Sequence, residues 1–533
     1  MKKFFMLSAL AAFAMGFAAC SSEDSPIESQ SNTQGEGTGA YVQMTFRMPS
    51  TTDFSRANDA ESSEVYSIGT EAEYHINKVY LYFFDTNNKL KTISGKNYLE
   101  VGVNLINTTA TTTEQSETAA ANKGKVYSTV TYQIPGDLTV GDEYHVYALC
   151  NRPYEGTITS PADLLDSKLT FSKTDISTSN GNLPMAARSY TGEVYETLHA
   201  TKANNQANPY ELDFEIERSY ARIAFVDQTF TSPLYTTNTE GDNKKELGTA
   251  TVLSYQLVNT SNDFYTYRHV GTIGTDFIAT PATGNDAAGM PVAQGKITDA
   301  NPYVIDPNTS KKTSTYSKDA VSGFMSNLLE DADASKFTTI YAATTEGPKS
   351  IEYVAENTMR INAQKKGHTT GILFEVQLQP TKWADDTDVD IRSGYPDMYY
   401  YNGGFYKDIA ALKAAGLADI TTANFTTYGV RYFKKGIGYY EYYIRHLNNG
   451  DNTDMGVMEF AIVRNNSYEL SIKGLAMSPF SKLPGDPDNP DPDPKDPDQP
   501  NPGEDDEGAK VYMQVDVVVR PWIVRQNDML LGH

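Results

Sequence analysis

The chain has 533 residues and carries 44 Lys and Arg against 68 Asp and Glu, a net charge of −24 at neutral pH. That excess argues against a nucleic-acid backbone as partner and describes a solvated, self-repelling surface. Its 36 Tyr and 22 Phe, with abundant Thr and Val, favour strands over long helices; two cysteines, one at the end of a leader, exclude a mature disulfide framework. Stability must then come from core burial, which a chain of this length can supply.

Residues 1–19 have the layout of a secretory leader, with Lys2 and Lys3 ahead of an apolar run from Phe4 to Ala19. That run is short of the ~20 residues that a membrane span needs. Cys20 follows Phe17-Ala18-Ala19, and this ending is similar to the lipobox of bacterial lipoproteins. The similarity implies acylation, such as palmitate, on Cys20 and an outer-membrane anchor; plain secretion with cleavage elsewhere is the alternative. Ser21-Ser22-Glu23-Asp24 resembles the acidic export tag of surface lipoproteins. Residues 20–40 read as a flexible tether, having almost nothing to bury.

From Tyr41 to Met48, Val42, Met44, Phe46 and Met48 alternate with Gln43, Thr45 and Arg47, the pattern of a half-buried strand that Pro49 ends. A polar loop follows, containing Arg56 and then Ala57. Further strands are expected over Ile76 to Phe84, Tyr127 to Ile134 and Tyr144 to Cys150, with Cys150 a core thiol. Phe214 to Val226 carries Glu217-Arg218-Ser219-Tyr220-Ala221-Arg222, where a first domain hands over to a second. Ala250 to Leu257, Gly371 to Leu378, Tyr439 to Ile444 and Ser467 to Ile472 read as strands, and Ile409 to Ala415 as a short helix. The expected fold is mainly β: two tandem β-sandwich-like domains (Greek-key, transthyretin-like) over 57–226 and 227–482, with a few short helices.

Residues 483–509 form an Asp/Pro-rich linker. Eight prolines lie between Pro484 and Pro502, and Lys495 is the only cation among ten carboxylates from Asp486 to Glu507, so this is a stiff extended spacer. At ~3.1 Å per residue its proline stretch reaches roughly 59 Å. Beyond it, in 510–533, Val511, Met513, Val515, Val517 and Val519 share one face, and Trp522 lies in a continuation after a break at Pro521.

Residues with a chemical signature are scarce. Asp386-Thr387-Asp388-Val389-Asp390 imitates the start of a calcium loop, but Ile391 stands where glycine is needed and Asp397 where a long Glu is needed. Gly35, Gly37 and Ala40 have dinucleotide-like spacing without a preceding strand. No nucleophile elbow or zinc-protease motif occurs, so no catalytic residue, metal ligand or cofactor is expected. Tyr399-Tyr400-Tyr401 offers rings that stack on sugars or pack a hairpin.

The informative pattern is a strand bounded by a cuttable loop at one end and a similar strand on a spacer at the other. A sheet robbed of a strand exposes an apolar groove and two rows of unpaired backbone groups. Burying Val42, Met44, Phe46 and Met48 is worth ~1.5–3 kcal/mol each, roughly 6–12 kcal/mol gross. Cutting nearby lets that strand leave, and Val511 to Val519 of another molecule supplies a matching row. Because the two patches differ, such a contact is heterologous and builds open filaments. The plain alternative is that both segments are ordinary edge strands of one sandwich.

The leader ending, Tyr41-Val42-Gln43-Met44-Thr45-Phe46-Arg47-Met48-Pro49, Ser55-Arg56-Ala57, the Glu217 to Arg222 segment, Val463-Arg464-Asn465-Asn466-Ser467-Tyr468, the Asp/Pro spacer and Val515 to Trp522 resemble fimbrillins, specifically the Mfa-type major subunit of type V pili. The resemblance implies a two-domain β protein exported as a lipoprotein precursor. A trypsin-like or Arg-specific protease removes the amino-terminal strand, and a neighbour's carboxyl-terminal strand fills the groove. The partners implied are other copies and other fimbrial subunits (tip and anchor), first at the outer membrane and then in an extracellular fimbrium. Carried onto this chain, the cut follows Arg56 and the mature chain begins at Ala57, with Arg47 the rival site. A surface lipoprotein that binds glycans through exposed tyrosines is the second reading.

Overall fold

Two large mixed sheets, each with its own apolar core, dominate the computed structural model, which describes residues 39–47, 71–105, 126–173, 183–188, 194–236, 245–271, 303–345, 347–446, 458–476, 481–483 and 513–521. The chain is mainly β, and its helices are short. The elements of the first sheet that matter here are β1 (Tyr41–Arg47), β2 (Lys78–Asp85), β3 (Val126–Ser128), β4 (Tyr132–Gln133), β5 (Tyr144–Cys150), β6 (Met185–Arg188) and β7 (Tyr210–Arg218), with α1 (Glu71–Tyr74) ahead of β2. The second sheet uses β8 (Ala221–Phe225), β9 (Thr231–Tyr235), β10 (Glu246–Val258), β11 (Ile351–Val354) and β12 (Gly371–Pro380). A small sheet of β13 (Met398–Tyr401), β14 (Gly404–Tyr406) and β15 (Arg431–Phe433), with α2 (Ile409–Ala414), is inserted before β16 (Ile437–Tyr443), β17 (Asn466–Ala476) and β18 (Met513–Pro521).

The first sheet runs β2–β5–β6–β7–β1–β3, with β4 also pairing β1. The second runs β11–β8–β17–β9–β10–β12–β16, with β18 on the other side of β17. Composition explains the depth of each strand. β2 reads Lys-Val-Tyr-Leu-Tyr-Phe-Phe-Asp and buries every residue from Val79 to Phe84, so both its faces are covered. β5 is likewise apolar, and Cys150 at its end is fully buried; burial pushes its thiol pKa up, which leaves it unreactive.

Two strands expected as continuous are divided, each for a visible reason. The run Tyr127 to Ile134 breaks into β3 and β4 because Thr129 engages β1 with backbone and side chain together: its N–H donates to Met44 O at 3.0 Å and its Oγ1 accepts from Met44 N at 3.0 Å. The run Phe214 to Val226 divides into β7 and β8, which belong to different sheets. Ser219 N donates to Pro184 O, while Tyr220 O accepts from Asn465 N, so consecutive peptides bond to different partners. The core changes over there too, Tyr220 closing the first and Ala221 opening the second. Phe264, Tyr267 and Ala355 reach back into the first core, and residues 263–265 pair with 168–170, so the two halves interlock.

Two buried histidines make the fold acid-sensitive. His269 stacks on Tyr265 at 3.6 Å with Nε2 3.2 Å from Leu165 O, and His368 places Nδ1 2.9 Å from Ala363 O. Burial pushes both imidazoles down from 6.5 to about 4. The unfolded chain therefore binds protons that the folded chain refuses between about pH 6.5 and 4. Stability is full above that window and falls through it by roughly 3 kcal/mol per histidine. Urea midpoints at pH 7 and 4.5 check this; His368→Gln should remove about half of the histidine-linked loss.

Candidate strand-exchange site

β1 is not an edge strand. It lies parallel to β7, pairing Val42 with Tyr210 through Arg47 with Glu215, and antiparallel to β3 and β4 on its other side. Tyr41 N donates to Asn204 O at 2.8 Å, Ile134 N to Ala40 O at 2.9 Å, and Gln43 Nε2 to Ser128 Oγ at 3.2 Å. Val42, Met44 and Phe46 are buried in the first core beside Leu212, Phe214 and Ile216 of β7. Phe46 stacks flat on Phe214, centroids 5.2 Å apart and planes 8° from parallel. Withdrawing β1 uncovers an apolar trough floored by that β7 row and two ladders of backbone groups. Phe46→Ala in the uncut chain should cost about 3–5 kcal/mol, read as a lowered urea midpoint.

Met48, Arg56 and Ala57, and Cys20 ahead of the strand, lie outside the described residues. Arg47 is described as the last residue of β1, with β7 on one side and β3 on the other, and a laddered backbone is a poor protease substrate.

The carboxyl-terminal strand is also engaged. β18 runs antiparallel to β17, with Tyr468 opposite Val519, Leu470 opposite Val517 and Ile472 opposite Val515, and a bulge before Gly474. Met513 stands opposite Leu475; Val511 and Trp522 lie outside the described residues. The described part of this carboxyl-terminal strand is thus docked on its own chain's second sheet.

Where β7 passes into β8 and meets β17 lies a buried polar seam that pattern reading did not identify. Arg218 Nε donates to Glu73 O at 2.7 Å, and Arg222 Nε sits 3.1 Å from Glu73 Oε1, which also accepts from Tyr353 Oη at 2.6 Å. Arg218 and Arg222 reach Asn465 and Ser467, each at 3.4 Å. Arg464 grips Glu356 through two bonds of 2.7 and 2.8 Å and donates to Tyr265 O at 2.7 Å; Arg268 Nε donates to Glu217 Oε1 at 3.0 Å. Burial pushes the Glu356 carboxyl up and Arg464 pulls it back. The Glu217 to Arg222 and Arg464 to Ser467 segments are therefore two halves of one network. Charged residues within apolar strands were the available signal, since buried charges require partners.

The other candidates are occupied structurally. Tyr400 faces the second core, while Tyr399 and Tyr401 pack on the cluster of Leu412, Ile420 and Phe425 beneath α2. In the acidic loop, Asp388 pairs with Lys382 at 2.5 Å and Asp390 with Arg392 at 2.8 Å. Among the described residues no group of three or more His, Cys, Asp or Glu is placed to hold a metal.

Comparison with known proteins adds two family matches. Residues 40–287 match the family described as major fimbrial subunit protein (FimA), and residues 431–528 match the family described as major fimbrial subunit protein type IV, fimbrillin, C-terminal. The chain is similar to the minor fimbrium subunit Mfa1 of Porphyromonas gingivalis, 34% identical over 209 residues, which is 36% of this chain and 40% of that relative's length. Solved structures with a related course include a putative cell adhesion protein of Parabacteroides distasonis (TM-score 0.40, 13% identity, 91% of this chain and 99% of the other). A fimbrilin of Porphyromonas gingivalis is another (TM-score 0.37, 13% identity, 92% and 99%).

Proposed function

Because the chain belongs to the fimbrillin family, matched by family models at both its ends, we propose that it is a shaft subunit of a cell-surface fimbria that supports adhesion. It is exported as a precursor lipidated on Cys20 and held at the outer membrane. A trypsin-like or Arg-specific protease cuts after Arg56, the segment bearing Val42, Met44, Phe46 and Met48 leaves, and the 510–533 region of another copy takes its place. Residues 57–226 and 227–482 are the two body domains, and 483–509 is the spacer that lets the donor reach. Tip and anchor subunits end the polymer. Owning both a removable strand and a donor suits a shaft position, since a tip needs no donor.

The observation that carries this reading is the setting of β1: it is the first described strand, inserted between strands from later in the chain, with its apolar row in the core. One cut in the 48–70 segment therefore turns it into a separate peptide held only by noncovalent bonds. Limited trypsin treatment of the leaderless precursor should yield a product beginning at Ala57 and fibres by electron microscopy. A correctly cut product that stays monomeric at high concentration refutes the reading.

A further inference from the structure

We propose that the donor strand enters the β1 groove in the same direction as β1, with Val515, Val517, Val519 and Arg520 taking the places of Val42, Met44, Phe46 and Arg47. The proposal rests on the strand-exchange reading above and specifies its register. It starts from a likeness within the chain: Val42-Gln43-Met44-Thr45-Phe46-Arg47 and Val515-Asp516-Val517-Val518-Val519-Arg520 share the pattern Val-x-apolar-x-apolar-Arg, and a proline follows within two residues in each.

The lining of the groove turns that likeness into a register. Because side chains alternate, a slip of one residue inverts the strand and is excluded, leaving shifts of two. On the outer face of β7, Glu211, Asp213 and Glu215 stand opposite Gln43, Thr45 and Arg47. Glu211 and Asp213 are exposed and Glu215, which has Arg188 of β6 opposite it on its other side, is half-buried, so the Arg47 position faces the least solvated of the three carboxylates. Within Val515 to Arg520 the donor has one cation, Arg520, and one anion, Asp516. Entry in the β1 direction sets Arg520 against Glu215 while the valines fill the trough, and a slip of two residues loses that pairing. Reversed entry with the same valines inward sets Asp516 or Gln514 against Glu215. Reversing and still bringing Arg520 there places Pro521 where Phe46 stacks on Phe214, and proline has no N–H for the ladder. Two imperfections remain in the proposed register: Asp516 comes opposite Glu211, and Val519 covers less of Phe214 than Phe46 did. Asp516→Asn and Val519→Phe should each speed assembly.

Disulfide trapping in leaderless full-length chains cut with trypsin tests the register. The pair Glu215→Cys with Arg520→Cys should give a ladder of linked subunits on non-reducing gels, and Glu211→Cys with Arg520→Cys should not. A ladder from the second pair, or from Glu215→Cys with Asp516→Cys, overturns the direction. Fibres without any ladder from the first pair overturn the register while leaving strand exchange intact; wild type that forms no fibres after the cut overturns the underlying reading instead. As a second measure, Arg520→Glu should slow assembly about tenfold. Assembly of Arg520→Glu at the wild-type rate refutes the pairing.

Discussion

Replacing Arg56 with Ala is expected to leave the precursor monomeric under trypsin conditions that convert the wild-type chain to fibres. While β1 remains covalently attached, it refills its groove from within the same chain at an effective concentration on the order of millimolar. Its three described apolar side chains contribute ~1.5–3 kcal/mol each, roughly 5–9 kcal/mol gross, before any ladder bond is counted. A strand from another molecule at micromolar concentration does not displace such an occupant. After scission the released peptide dilutes away and the competition reverses. Arg47 offers no easy second route, because its backbone is laddered to β7 and β3. Gel analysis and electron microscopy of the variant decide the matter, and fibres at the wild-type rate place the cut elsewhere.

Ending the chain before Lys510 should abolish fibres altogether while still permitting the Arg56 cut. The truncated chain loses its donor and also uncovers β17, so loss of assembly alone does not separate the two causes. A chain that keeps its full length but carries Val517→Asp retains the backbone that covers β17 and changes one side chain of the donor row. An unpaired carboxylate in the apolar row of the groove costs several kcal/mol, so this chain should be cut normally and remain monomeric. Adding a synthetic peptide covering 510–525 to the cut, truncated chain should raise its thermal midpoint by occupying the groove. Long rods from the truncated chain remove the carboxyl-terminal strand from the mechanism.

Alternation was the most legible signal in this sequence. The Val42, Met44, Phe46 row, the apolar runs of β2 and of β5 from Val146 onward, and the helix at Ile409 all read directly from side-chain order. The breaks were not legible. Nothing in Tyr127 to Ile134 announces that Thr129 bonds to Met44 with both its amide and its hydroxyl. Nor does Ser219-Tyr220 declare that one extended segment serves two sheets, since that depends on Pro184 and Asn465, both distant in sequence. The neighbours of β1 were invisible for the same reason: parallel pairing with β7 joins residues about 170 positions apart, a relation no local pattern encodes. The seam was half legible: its charges stood out in strands that otherwise bury everything, but their partners come from four separate stretches of chain.

The passage of one extended segment through both sheets has a mechanical consequence. In a shaft assembled as proposed above and pulled by flowing liquid, tension would enter a subunit through the strand seated beside β7 and leave through its own spacer. Between those points the load travels along covalent backbone from Tyr210 to Phe225, then crosses to β17 through a parallel ladder whose register runs from Arg222 opposite Ser467 to Phe225 opposite Leu470. Force directed along such ladders must shear many hydrogen bonds at once rather than unzip them singly. The seam, with Arg218 and Arg222 tied to Asn465 and Ser467 on the receiving strand, braces the crossing where slippage would begin.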